Sequence, residues 1–184
     1  MGRPCQPRPA KMIVGLLWGR EEDLGTALAD LARAFGPLES RSPVRPFTET
    51  DFYAPELGEA LSRGWVSLEG TVDPGRLAGL KLAANRLEEA YARPDGRRRV
   101  NLDPGLLSLN SLVLASTKPS PHRIYLGQGI HAEVELIFRR GRFEPLPWTY
   151  PDYTGEGFWA WLKEVREAYK EGLKREPRAA RPEV

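Results

Sequence analysis

The run Met12-Ile-Val-Gly-Leu-Leu-Trp18 is apolar throughout. That is the pattern of a central strand covered on both faces. After Gly19 the period changes. Leu24, Leu28, Leu31 and Phe35 recur at helical spacing, acids stand at the start, and Gly36-Pro37 closes the run, so a helix is predicted from Glu21. Leu38 to Phe47 reads as extended, with Pro43 and Pro46 placing it at a sheet edge. A short helix is expected from Pro55, and Trp65 to Glu69 alternates as a strand does. Asp73-Pro74 has the form of a helix start, and Leu77, Leu80, Ala84, Leu87 and Tyr91 follow on one helical face. Pro94-Asp-Gly96 is a turn signal, and Arg98 to Leu102 reads as another strand.

Strand–helix–strand thus occurs twice. The predicted fold class is α+β, with a split βαβ (ferredoxin-like) sheet-and-helix core. Two halves of a larger sheet are the alternative. Leu106 to Thr117 is apolar without a period that separates helix from strand. His122 to Leu126 and Gly129 to Phe138 form an added C-terminal β-hairpin, turning at Gly127-Gln128. Phe158, Trp161, Leu162, Val165 and Tyr169 mark a terminal amphipathic helix. The expected organisation is a disordered, proline-rich leader over 1–10, one domain over 11–174, and a frayed tail over 175–184.

Length and composition narrow the class. The 184 residues are 41% hydrophobic and 28% charged, which is globular and large enough for a real core. No apolar run approaches the ~18 residues of a membrane span, and Met12–Trp18 is not followed by a small-residue cleavage site. Cys5 is the only cysteine, so there is no internal disulfide and no multi-cysteine zinc site; a cytoplasmic protein is expected. A net charge of +2 is too small to demand nucleic acid. Seventeen prolines and an arginine-rich basic set lean towards a thermophile's composition.

Four groups of polar residues then stand out. Lys81, Asn85 and Glu88 share a helix flank, next to the apolar stripe. Arg99, Asn101 and Asp103 would share one face of a strand, after which Asp103-Pro104-Gly105 is a turn or a helix start. On the hairpin, a turn at Gly127-Gln128 pairs Ile124 with His131 and His122 with Glu133. One face then carries Ile130, Ala132, Val134, Leu136 and Phe138, and the other His122, His131, Glu133 and Glu135, with Lys118 and Arg123 flanking. Leu146 to Tyr153, with Trp148, two tyrosines and Asp152, is a stiff loop that either stacks on a ring or plugs the core. For the first three the plain structural readings are a flank ion pair, a solvated strand and an exposed sheet face. No G-x-x-x-x-G-K-[ST] loop, G-x-S-x-G elbow or H-E-x-x-H helix occurs.

Together the strings Thr50-Asp-Phe-Tyr53, Glu56-Leu-Gly58, Lys81 through Asn85 to Glu88, Val100-Asn-Leu-Asp-Pro-Gly105, His122-Arg-Ile-Tyr-Leu126, Gly129-Ile-His-Ala-Glu133 and Pro147-Trp-Thr-Tyr-Pro-Asp-Tyr153 are distinctive. With them the chain resembles the bacterial family catalogued as domain of unknown function 4416, over about Lys11 to Gly172. The resemblance implies motif positions but no activity. At position 131 the family pattern more often has Tyr, which counts against a two-histidine mechanism. The matched positions are mostly charged, and such groups are costly to bury unless paired.

The expectation is therefore an enzyme or binding domain for a nucleotide or other phosphorylated ligand. His122 and Asp103 would be its catalytic residues. Lys81, Asn85, Arg99, Asn101, Lys118, Arg123, Tyr53 and Trp148 would bind the ligand, and Asp51 and Glu133 a divalent metal. The alternative is a non-catalytic RNA- or protein-interaction module working through the Trp148–Tyr153 loop. Nucleic acid is the less favoured partner, no membrane partner is expected, and no oligomeric state follows from the sequence.

Overall fold

The computed structural model describes residues 3–175. Lys11–Trp18 forms strand β1 and is buried along its whole length, as its unbroken apolar run requires. Helix α1 (Glu21–Phe35) follows, with Glu21, Glu22 and Asp23 in the first turn, where the helix dipole favours acids. The chain then lays down the edge strands β2 (Leu38–Arg41) and β3 (Arg45–Phe47), the short helix α2 (Ala54–Leu57) and strand β4 (Leu61–Leu68). Asp73 accepts a hydrogen bond from the Gly75 amide at 2.8 Å and starts a 3-10 turn that leads into α3 (Leu77–Ala90).

Strand β5 runs from Val100 to Leu107 and β6 from Ser111 to Ser116. The undecided stretch after Leu106 is therefore the end of one strand, a tight turn and a second strand. Asp103-Pro104-Gly105 is neither turn nor helix start but mid-strand, with Pro104 opposite Val14 of β1. Strands β7 (Ile124–Gly127), β8 (Ile130–Arg139) and β9 (Arg142–Pro145) and helix α4 (Glu156–Arg175) complete the described chain. Of the expected tail, 176–184 lie outside the described residues, and Arg175 closes α4. Of the leader, residues 1–2 lie outside them, and Pro9 accepts a hydrogen bond from Tyr169 Oη.

The nine strands make one antiparallel sheet in the order β2-β4-β1-β5-β6-β8-β7, with β3 beside β4 and β9 beside β8. The architecture is α+β. One core lies between the sheet and α1 and α3, built on Met12, Val14, Leu16, Leu31, Leu80 and Leu102. The second lies under α4, where Trp161, Leu162 and Val165 meet Trp65, Leu107, Leu112 and Leu136. Among the described residues no helix is long and apolar enough to cross a membrane.

Two irregularities correct the expected hairpin. The turn residues are Gln128 and Gly129, with φ of 55° and 75°, between paired Gly127 and Ile130. Positive φ at both positions is the type I′ pattern, in which glycine stands second; the expected Gly127-Gln128 turn would have placed it first, as type II′ does. A bulge before Gly127 then sets Tyr125 against His131 and Ile124 against Ala132, one residue off the expected register. A second bulge leaves Glu135 as the extra residue of β8, between Val134 opposite Val113 and Leu136 opposite Leu112. The strand thereby changes face. Ile130 and Ala132 join the α1/α3 core, whereas Leu136 and Phe138 join the α4 core.

Candidate functional site

β5 and β6 share only three residue pairs, Gly105–Leu114, Leu106–Val113 and Leu107–Leu112. Beyond them the strands part, so residues 100–104 have β1 on one edge and no strand on the other. Buried backbone groups on such an edge need other partners. The α3 side chains supply them. Lys81 Nζ donates to the Leu102 carbonyl at 2.7 Å, and Glu88 Oε1 accepts from the Leu102 amide at 2.6 Å. Both residues are buried, at 6% and 4% exposure. Lys81 and Glu88 are therefore not an ordinary surface ion pair, and Asn85 between them is half-buried.

The same parting opens a cleft of about 750 Å³. Its floor holds Arg63, Asp103 and Tyr153. Arg63 is buried, with Nε 2.8 Å from Asp152 Oδ2, Nη2 donating to Tyr153 Oη at 3.0 Å and Nη1 3.5 Å from Asp103. Gly15 lies across from it. A Cβ there would come within 2.9 Å of both Arg63 Nη2 and Tyr153 Oη, so only glycine leaves this approach open. Burial raises the Asp103 carboxyl, but the Lys81 and Arg63 cations outweigh it and hold the group below its ordinary value. Burial prevails at Glu88 and at Asp152, which are raised in spite of Lys81 and Arg63 respectively.

One rim is built around Arg98. Its Nε and Nη2 grip Glu56 at 2.7 Å each, and its Nη1 donates to Glu88 at 2.9 Å and to Asn101 at 2.8 Å. This fork-to-fork contact ties α2 to α3 and β5. Tyr53, beside it, is pushed up to about 12 by burial and by the Asp103 charge.

The opposite wall is β8 and the loop 146–153. Glu133 lines the cleft, with Oε2 2.7 Å from His122 Nε2 and Oε1 2.9 Å from an Arg123 nitrogen. His122 also contacts Ser120 Oγ at 3.0 Å and stacks on Trp148. The loop is pinned to the β8 bulge. Trp148 Nε1 donates to the Val134 carbonyl, Thr149 Oγ1 to the Glu135 carbonyl, and the Tyr150 amide to Glu135 Oε1 at 2.6 Å. Of the loop's two expected roles the core plug is seen at Tyr153, which is buried, while Trp148 and Tyr150 are exposed. Burial of Glu135, with the charges of Glu133 and Asp152 near, pushes its carboxyl up to about 8.

Lys81, Asn85, Asn101, Asp103, Lys118, Tyr53 and Glu133 thus come together around one cleft. Other expected site residues do not line it. Arg99 precedes β5, so strand alternation does not reach it; it meets Asp23 at 3.5 Å in a separate cavity of about 220 Å³. Arg98 takes the place assigned to it. His122, Arg123 and Trp148 stand behind Glu133 and Tyr150, so Glu133 is the member of the His122 pair that faces the cleft. His131 lies against Tyr125, away from His122 in register. Asp51 is exposed and outside the lining. Both Glu133 oxygens are already taken, Oε2 by His122 and Oε1 by Arg123, and no group of three or more His, Cys, Asp or Glu placed for a metal occurs among the described residues. The expected metal pair does not fit.

Arg63 and Arg98 were not singled out by their residue pattern, and Asp152 was named only within the 146–153 loop, without a partner. For Arg63 a signal existed: Leu61, Arg63 and Trp65 share a strand face, and a charge beside tryptophan on a buried face calls for a partner. The other two depend on contacts made at 42 and 89 residues' separation, Arg98 with Glu56 and Arg63 with Asp152.

Fold and site define an α+β protein with a charged, ligand-sized cleft where its sheet parts. A family model described as Domain of unknown function (DUF4416) matches residues 8–169, and the chain belongs to that family. No curated protein and no solved structure matches it.

Proposed function

We propose that the cleft binds a small phosphorylated molecule, such as a nucleotide, and that the protein is an enzyme or binding domain for it. The observation that carries this reading is Lys118. Arg63, Lys81 and Arg98 are each paired with carboxylates. Lys118 is the one lining cation with no carboxylate partner among the described residues, and it lies 4.0 Å over the Phe52 ring at the cleft wall. An exposed ammonium on an aromatic face is free to take a phosphate as a point charge. Phe52, Tyr53 and Tyr150 offer ring faces to the rest of the ligand. Glu133, held by His122 and Arg123, is the candidate proton acceptor, and Asp103 the fixed anion.

Isothermal titration with nucleoside mono- and triphosphates tests this. Lys118→Ala should weaken binding about tenfold, the effect of one lost charge-assisted contact, and leave the melting temperature nearly unchanged. Binding that ignores Lys118→Ala would overturn the reading.

Several observations support the finer fold assignment, a split βαβ (ferredoxin-like) core. β4 lies between β1 and β2, β1 lies between β4 and β5, all are antiparallel, and α1 and α3 pack on one face. A reducing cytoplasm suits the single exposed Cys5. A second reading, a protein-interaction module, is favoured by Ile124, Tyr125 and Leu126, exposed on the terminal strand β7. Size-exclusion chromatography of Tyr125→Lys against wild type checks whether that edge self-associates.

A further inference from the structure

Asp103 differs from the other deep carboxylates of the cleft in its exposure and in the length of its ionic contacts. Glu88 is gripped by the Leu102 amide and Arg98, Glu133 by His122 and Arg123, and Asp152 by Arg63, all at 2.6–2.9 Å. Asp103 has one short bond, from Asn101 Nδ2 to Oδ2 at 2.7 Å. Lys81 and Arg63 stand off at 3.4 and 3.5 Å. Its side chain is 26% exposed, against 5%, 1% and 7% for the other three.

A carboxylate has about four acceptor positions. Three donors reach Asp103, two of them cations at long range, and they keep it ionised while leaving acceptor capacity on its exposed side. Gly15 preserves that spacing, because a side chain there would push Arg63 from its place. Unfilled acceptors on the floor of a cleft call for donors from whatever occupies it. A second anion is disfavoured there, since acidic side chains outnumber basic ones in the lining.

We infer that Asp103 receives hydrogen-bond donors of the ligand, so the phosphorylated molecule carries N–H or O–H donors at its other end. Sugar hydroxyls and ring amino groups both supply this chemistry. The inference rests on the phosphate reading for the Lys118 end and stands on Asp103 alone for the donor end.

The test is isothermal titration of the full chain with five probes. Adenosine monophosphate and ribose 5-phosphate carry donors and phosphate, adenosine and ribose carry donors only, and phenyl phosphate carries phosphate without such donors. Wild type should bind a donor-bearing phosphate about tenfold or more tighter than phenyl phosphate, as hydrogen bonds to a charged group allow. Asp103→Asn should remove most of that advantage and leave phenyl phosphate within about twofold. An advantage shared by ribose 5-phosphate assigns the hydroxyls; one confined to the adenosine compound assigns the ring.

Equal wild-type affinity for donor-bearing and donor-free phosphates overturns the inference, even should Asp103→Asn fail to fold. So does an equal loss for phenyl phosphate in that variant. A phosphate reading that fails is distinguishable. Lys118→Ala would then leave every probe unchanged while Asp103→Asn still weakened adenosine or ribose. No binding by any probe overturns both.

Discussion

The cleft has two walls, and they treat carboxylates differently. On the β5–α3 side Asp103 lies between Lys81 and Arg63 and is held below its ordinary value. On the β8 side Glu135 is fully buried, receives the Tyr150 amide on one oxygen, and leaves Oε2 without a hydrogen-bond partner. It is pushed up to about 8. Burial works against ionisation at both. Two cations reverse it at Asp103. At Glu135 burial outweighs the Tyr150 amide bond, the largest opposing pull, the neighbouring charges of Glu133 and Asp152 add to burial, and the pull of Arg123 is smaller. One wall is therefore built for a fixed negative charge, and the other holds a carboxyl that is half protonated near pH 8.

The strongest way to break this contrast is to remove the group that lets α3 stand in for a strand. Glu88→Ala leaves the Leu102 amide without its acceptor and Arg98 short of a partner. Removing one member of a buried ionic network typically costs ~3–5 kcal/mol. Urea denaturation should show that loss, and Glu88→Gln, which keeps an acceptor for the amide, should lose clearly less. Equal losses would mean that charge, not the edge bond, is what matters at this position.

Glu135 is next in expected size, and its effect depends on pH. Its folded value of about 8 lies above the ordinary 4.5. Between these the folded state holds a proton that the unfolded state has released. Stability from this group is therefore full below about pH 4.5 and falls as pH rises towards 8, by up to about 1.4 kcal/mol per pH unit. Glu135→Gln should flatten that decline and be the more stable protein at pH 8, by ~2–4 kcal/mol. Asp103 acts in the opposite direction. Its folded value is depressed, so its contribution is present above the unfolded value of about 3.9 and is lost as pH falls through the folded one. Melting curves from pH 3 to 9 on wild type and Glu135→Gln check both limbs.

Smaller changes sharpen the contrast. Tyr153→Phe removes the hydroxyl that accepts from Arg63 Nη2 and should cost ~1–2 kcal/mol by chemical denaturation. Phe52→Ala should cost less than about 1 kcal/mol, because Phe52 is 61% exposed and its named partners are the Lys118 ammonium and the Tyr53 ring. A large loss there would mean that the Phe52 wall supports the fold as well as lining the cleft.

Much of the fold was legible because long periodic runs carry their own evidence. β1, α1, α3 and α4 lie where unbroken or helically spaced apolar residues placed them. Lys81, Asn101 and Asp103 were legible as polar groups too costly to place on a covered face by chance. The hairpin register was not legible. A single glycine position decides it, and Gly127 and Gly129 are equivalent until the φ angles are known. Arg98 and Arg99 could not be told apart, because strand alternation is counted only from where the strand begins.

The order of hydrophobic and polar residues by itself determined that β1 became a covered strand and that α1, α3 and α4 became helices with one apolar face, because burial of apolar surface and local backbone preference act within a few residues. Where β5 and β6 part was decided by the tertiary structure alone. So were the capping of β5 by Lys81 and Glu88 and the standing of His122 behind Glu133. Each rests on distances between groups far apart in the chain, and at those distances a lone pair, a cation or a bulge of one residue decides which side chain faces the cleft.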